Sequence, residues 1–253
     1  MTKNTRFVLS VAAVGLMAVV FAPYALADTV NIPLTDPSFE DNPVAYGATS
    51  TNGIVVNEED QTQNTFWTQA FQADPDHGDV IWNPTTASFL KDGSGNLLAP
   101  ASGSQCLYVT GDYTNTVALY QYVPLSGGIQ PDATYTCTVA FGLPAGVGGA
   151  GYAISLNDDD ADTLAYVNPD TSGRIPADQK FHDVSATFTG AWVLANCPNG
   201  IGENLYLAVV GDGGMCIDNV RLTMTTVPEP STLVLLTAGL LSLLAYARRR
   251  GGK

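Results

Sequence analysis

Thr134-Tyr135-Thr136-Cys137-Thr138-Val139-Ala140-Phe141 is the stretch that decides the fold. Tyr135, Cys137, Val139 and Phe141 share one face and the threonines the other, the period-two alternation of a strand with one side buried. Residues 105–110, 117–125, 152–156, 181–189, 205–210 and 215–224 also read as strands. Turn residues such as Ser126-Gly127-Gly128, Asp92-Gly93-Ser94-Gly95 and Asn199-Gly200 stand between them. There is no helical stripe and no internal repeat, so the expected fold is an all-β antiparallel sandwich or jelly roll, not a propeller or solenoid.

The chain around this stretch has 253 residues, 45% hydrophobic and only 13% charged, which supplies a core and argues against disorder. Its net charge of −14 repels a phosphate backbone, so nucleic acid is not expected as a partner.

Both ends carry addresses. Residues 1–27 hold Lys3 and Arg6, then an apolar run, then Ala25-Leu26-Ala27, the pattern of a secretory signal peptide cleaved after Ala27. At the other end Pro228-Glu229-Pro230 precedes an apolar segment, 231–247, just long enough to span a bilayer, and then Arg248-Arg249-Arg250, which should stay cytoplasmic. This order resembles the PEP-CTERM sorting signal of Gram-negative bacteria. The resemblance implies that an exosortase recognises Pro228, Glu229 and Pro230 and processes a protein held in the membrane by its C-terminal helix. The mature protein is then released or kept at the cell envelope or extracellular matrix. The chain thus divides into a signal peptide (1–27), an ectodomain (28–227) and a sorting segment (228–253). In the ectodomain, Lys91, Arg174, Lys180 and Arg221 face 23 acidic residues, a balance of −19. Such a surface stays soluble and collects divalent cations.

Three blocks of the ectodomain look like the galactose-binding-like jelly rolls, a superfamily with many carbohydrate-binding modules: Leu34-Thr35-Asp36-Pro37-Ser38-Phe39-Glu40, Ala118-Leu119-Tyr120-Gln121-Tyr122-Val123-Pro124-Leu125, and Ile217-Asp218-Asn219-Val220-Arg221-Leu222. The long stretch 41–103, with polar loops at 57–60 and 74–79, departs from that pattern. The resemblance implies a structural Ca²⁺ between first and last strands, with Glu40 and Asp218 as ligands. The plainer alternative is that both are turn carboxylates capping backbone amides. Asp158, Asp160 and Asp162 form a denser cluster but lack the glycine and final glutamate of an EF-hand loop, and read as a solvated loop.

Cys106, Cys137, Cys197 and Cys216 in an exported chain point to two disulfides. Three pairings are open; Cys106 with Cys137 and Cys197 with Cys216 close the shortest loops, and four free thiols are the alternative. Gly146-Val147-Gly148-Gly149-Ala150-Gly151 fits G-x-G-x-x-G in form only, because a strand follows it, so it reads as a flexible hairpin loop. The histidines, His77 and His182, sit in no recognised catalytic motif.

Aromatic residues are the binding candidates. Tyr120 and Tyr122 share one face of a strand while Leu119, Gln121 and Val123 take the other, so two rings form a platform for sugar faces. Trp67 and Trp82 come from nearby loops, with Gln121 and Asp112 at the platform edge; the alternative is that the rings fill the core. The expected function is therefore a noncatalytic surface or matrix protein that binds polysaccharide. A secreted glycan-active hydrolase and a purely structural matrix protein are the alternatives.

Overall fold

The computed structural model describes residues 27–41, 43–50, 54–56, 67–70, 79–109, 116–157, 173–196, 205–212, 214–226, 239, 241–244, 246 and 248. The chain forms two units, Thr29–Thr225 and a second made of Met1–Asp28 with Thr226–Lys253.

The first unit is built from β1 (Asp28–Ile32), β2 (Thr49–Ser50), β3 (Ile54–Val56), β4 (Trp67–Ala70), β5 (Asp79–Trp82), β6 (Cys106–Val109), β7 (Thr116–Val123), β8 (Ala133–Gly142), β9 (Gly151–Asn157), β10 (Gly173–Arg174), β11 (Phe181–Thr189), α1 (Gly190–Asn196), β12 (Leu205–Asp212) and β13 (Cys216–Thr226). One sheet has the order β11-β8-β13-β6-β5-β2 with β1 beside β13; the other runs β10-β9-β12-β7-β4-β3. From β6 onward the chain alternates between sheets except at β9 and β10, which pair within one sheet, giving 6-13-8-11 facing 7-12-9-10, the eight-strand order of a jelly roll. The β3–β4 pair is parallel, while β11–β8, β12–β7, β12–β9 and β13–β6 are antiparallel.

Alternation explains the packing. Tyr135, Cys137, Val139 and Phe141 of β8 are buried between the sheets, as the opening stretch predicts. Leu119 and Val123 of β7, Ile154 and Leu156 of β9, and Leu205, Leu207 and Val209 of β12 meet them from the other side. In β13 the inward residues are Ile217, Val220 and Leu222, a phase slip that alternation alone forbids. Asn219, at φ 47°, supplies the extra residue of a bulge. A smaller apolar cluster lies on the outer face of the first sheet. There Phe89 and Leu97 of the segment between β5 and β6 cover Cys106, Ala140, Phe181 and Cys216, with Trp82 and Tyr108 at its side.

Three expectations need correction. A helix does occur: Thr189 Oγ1 accepts from Trp192 N at 3.2 Å and caps α1, which at seven residues is too short to show a stripe. The glycine run 146–151 is no hairpin, because β8 and β9 belong to different sheets and the loop crosses between them. Nor is it left loose: Ala150 is buried and its carbonyl accepts from Ile175 N, while Gly149 O accepts from Arg174. Finally, Trp82, expected in a loop, lies on β5, and the segment after it covers the outer cluster.

The signal peptide up to residue 26 and Pro228, Glu229 and Pro230 lie outside the described residues; Ala27 is exposed. Of segment 231–247, residues 239, 241–244 and 246 are helical, and Leu241, Leu243, Leu244 and Tyr246 are exposed. Among the described residues no helix is long and apolar enough to cross a membrane.

Candidate functional site

The jelly roll brings the two ends of the ectodomain together, and with them Glu40 and Asp218. Asp36 and Phe39 adopt left-handed backbone, at φ 41° and 57°, and turn the chain after β1 so that it folds under the sandwich. Three bonds hold this strap: Phe39 N to Asp36 O, Val220 N to Pro37 O, and Trp67 Nε1 to Asp36 O at 3.1 Å. Gln121 reaches the strap from the inner face of β7, its amide accepting from Thr35 N and donating to Thr35 O, both at 2.8 Å.

The strap delivers Glu40 to the loop that precedes β6. Its Oε1 accepts from Ser104 N and Gln105 N, each at 2.7 Å. Gln105 returns its Nε2 to Phe39 O at 2.7 Å and its Oε1 accepts from Val44 N. Gly103 has φ +66°, and a Cβ there would overlap the Glu40 carboxylate, so glycine is required twice over. Asp218 accepts from Ser102 N at 2.8 Å and from Asn219 N at 2.6 Å, and Asn219 Nδ2 donates to Pro100 O at 2.8 Å. One loop, 100–105, therefore cradles both carboxylates with main-chain N–H groups.

The electrostatics are unbalanced. Asp218 is fully buried, and desolvation raises its carboxyl well above the usual range. The Ser102 and Asn219 amides pull the other way, and the charges of Glu40 and Asp36 raise it further. Burial also raises Asp36, with Asp41 and Glu40 adding to it. The ammonium of Lys91 feels the Glu40 charge and is itself pushed down by burial. Its Nζ is engaged by Asn83 Oδ1 at 3.1 Å and Ser104 O at 3.4 Å, and lies 5.1 Å from the Tyr46 ring centre. Both carboxylates accept from main-chain N–H groups, the plainer of the two roles expected for them. Among the described residues no group of three or more His, Cys, Asp and Glu could hold a metal ion. A cation at Glu40 and Asp218 would need backbone carbonyls to complete its shell.

The aromatic platform is not assembled as expected. Trp67 is 1% exposed and packs in the core 5.7 Å from Phe39, because its position on β4 faces the other sheet. Trp82 belongs to the first sheet, on its outer face, against Tyr108 at 5.1 Å and Phe89 at 6.1 Å. Gln121 points into the core and is spent on Thr35, so it cannot edge a platform. Tyr120 and Tyr122 do alternate with the buried Leu119, Gln121 and Val123. Register aligns Asn157, Tyr206 and Tyr122 in one row across the second sheet, and Ser155, Ala208, Tyr120 and Thr68 in the next. Ser155, Ala208 and Val210, on the face away from the core, are all under 5% exposed, so the middle of this face is a covered floor. Tyr206 is the row member that sequence reading missed; its signal, alternation with Leu205 and Leu207, was present.

Other candidates have plain places. His182 Nε2 meets Asp178 Oδ1 at 2.9 Å, a contact that lowers the Asp178 carboxyl. Trp192 packs 6.1 Å from Phe188. Cys106, Cys137 and Cys216 are buried free thiols, and the expected Cys106–Cys137 pairing is corrected: Cys106 lies on the outer face of its sheet and Cys137 on the inner. Cys197, His77, Asp112, Asp158, Asp160 and Asp162 lie outside the described residues.

Among the solved structures that resemble the chain distantly are two, each at 14% identity and a TM-score of 0.35. One is the CBM22-1 and GH10 modules of a Clostridium thermocellum endo-1,4-beta-D-xylanase complexed with xylohexaose, over 63% of this chain; only 26% of that chain is covered. The other is the CBM22-1 xylan-binding domain of Paenibacillus barcinonensis Xyn10C, over 66% of this chain and 89% of that one. Likeness this remote names no ligand. No curated protein matches the sequence. Residues 226–250 match the PEP-CTERM protein-sorting motif, so the C-terminus is an export-sorting signal as its Pro-Glu-Pro, apolar and arginine parts indicated. Residues 30–223, the jelly roll with its strap, match the model described as HpiC1 cyclase, and the chain belongs to the HpiC1-like family.

Proposed function

We propose that this is an exported, exosortase-sorted protein of a Gram-negative envelope or matrix, whose jelly roll binds polysaccharide without chemistry on the outer face of the six-stranded sheet. The observation that carries it is the covered floor of Ser155, Ala208 and Val210 beside the row Asn157, Tyr206 and Tyr122. Tyr122 stands beside that floor, and a tyrosine ring suits the apolar C–H face of a sugar. A signal peptide ending at Ala27 and a C-terminal membrane helix over 231–247 complete the route. A structural Ca²⁺ held by Glu40 and Asp218 closes the domain, in keeping with the buried Asp218 carboxylate, whose charge the half-buried Glu40 repels.

The family description favours a second reading, in which the same face encloses a small substrate and promotes ring closure. A glycan array probed with the isolated ectodomain and its Tyr122→Ala variant separates them. Polysaccharide binding weakened at least about tenfold in the variant, with unchanged melting, supports the module. Absence of glycan binding, equal binding by the variant, or release of sugar or cyclic product by the wild type overturns it.

A further inference from the structure

Two of the cysteines share one pocket. Cys106 and Cys216 both stand in the outer cluster beneath Phe89 and Leu97, whereas Cys137 is between the sheets. β6 and β13 are neighbours, with Cys216 opposite Tyr108 and Ile217 opposite Leu107. Cys106 is thus two residues further along the facing strand, on the same side as Cys216, and the two thiols lie close enough to interact. The Asn219 bulge follows two residues after the last paired position of β13.

We propose that in the exported protein Cys106 and Cys216 form a disulfide across β6 and β13, an inference that rests on the export reading. One thiolate attacks the disulfide of a thiol-disulfide oxidant, giving a mixed disulfide, and the second thiolate displaces it. One S–S bond replaces two S–H bonds, and the two protons and two electrons pass to the oxidant, which leaves as its two thiols. Both cysteines are fully buried once Phe89 and Leu97 cover them, so the exchange belongs to folding in the oxidising compartment, before that cover closes. The bond fastens the strand carrying Asp218 to the strand that follows the 100–105 cradle. It thereby fixes both sides of the Glu40 and Asp218 site.

The test is disulfide mapping of the full chain exported to a bacterial periplasm, denatured and alkylated without reductant. Trypsin leaves Cys106 with Cys137 on one peptide and Cys197 with Cys216 on another, because no Lys or Arg separates either pair. Cleavage at aromatic residues is therefore added. The expected result is a linked Cys106–Cys216 peptide, with both residues alkylated only after reduction. Melting of the wild type should fall with reductant, while a C106A/C216A variant shows no fall through this pair. Alkylation of either cysteine before reduction, or a bridge from either to Cys137 or Cys197, overturns the proposal.

Discussion

Asp218 binds its proton more tightly in the folded protein than in the unfolded chain, and that sets the sign of its pH dependence. In chelator its contribution to stability is fully present below the ordinary carboxylate range and is lost as pH rises through the raised value. Asp36 shifts in the same direction. A divalent cation competes with the proton for these oxygens, so millimolar calcium should raise the melting temperature more at pH 7 than near about pH 4. Asp218→Asn removes the buried charge. It should melt at or above the wild type in chelator at pH 7, and below it in calcium. Identical wild-type melting curves with and without calcium would remove the cation from the account. At Gly103, replacement by Ala puts a side chain into left-handed backbone and onto the Glu40 carboxylate. The expected loss is about 1–3 kcal/mol in denaturant titration, together with the calcium response. The two carboxylates could be read from the sequence because they sit in recognisable end blocks. The cradle could not, since Ser102, Ser104 and Gln105 contribute main-chain N–H groups that any residue carries.

At the scale of elements, long alternating strands were readable and short ones were not. β6, β7, β8, β9, β11, β12 and β13 all fall on expected segments, but β2 and β10 are two residues each, too short for a period to register. Trp67 stands among Thr and Gln and so resembles a loop residue; its burial depends on Phe39 arriving from the strap. Trp67→Ala should therefore cost about 3–5 kcal/mol of stability, whereas Tyr122→Ala should leave melting nearly unchanged. The crossing of the 146–151 loop was hidden for a related reason, because which sheet a strand joins is decided by partners far away in sequence. A local feature of α1 gives a sharper test. A Cβ at Gly190 would overlap the Gln130 carbonyl oxygen, an unyielding main-chain atom, while Ala191 N is bonded to Pro131 O at 2.9 Å. Gly190→Ala should displace α1 from β8 and lower the melting temperature, and a structure-neutral result by circular dichroism and melting would show that the contact relaxes.

For the whole molecule, the sorting motif and the jelly roll make separate predictions. In a host lacking its exosortase, the ectodomain should stay membrane-bound through the segment after Pro228-Glu229-Pro230; in the intact host, mass spectrometry of the mature form should find Arg248 to Arg250 removed. A mature form retaining them counts against processing. β13 runs directly into this sorting region, ending at Thr226, and is flanked by β8 on one side and by β6 and β1 along the other edge. Thr225 Oγ1 also lies 3.0 Å from Thr29 Oγ1 on β1. Whatever pulls on the C-terminal tether therefore pulls along an interior strand instead of peeling an edge. Rows of hydrogen bonds on both sides must slide together before it yields, and Asp218 is a rivet near the far end of the loaded strand. A protein held by this end and dragged by flow would thus be gripped at the part of its fold best able to resist.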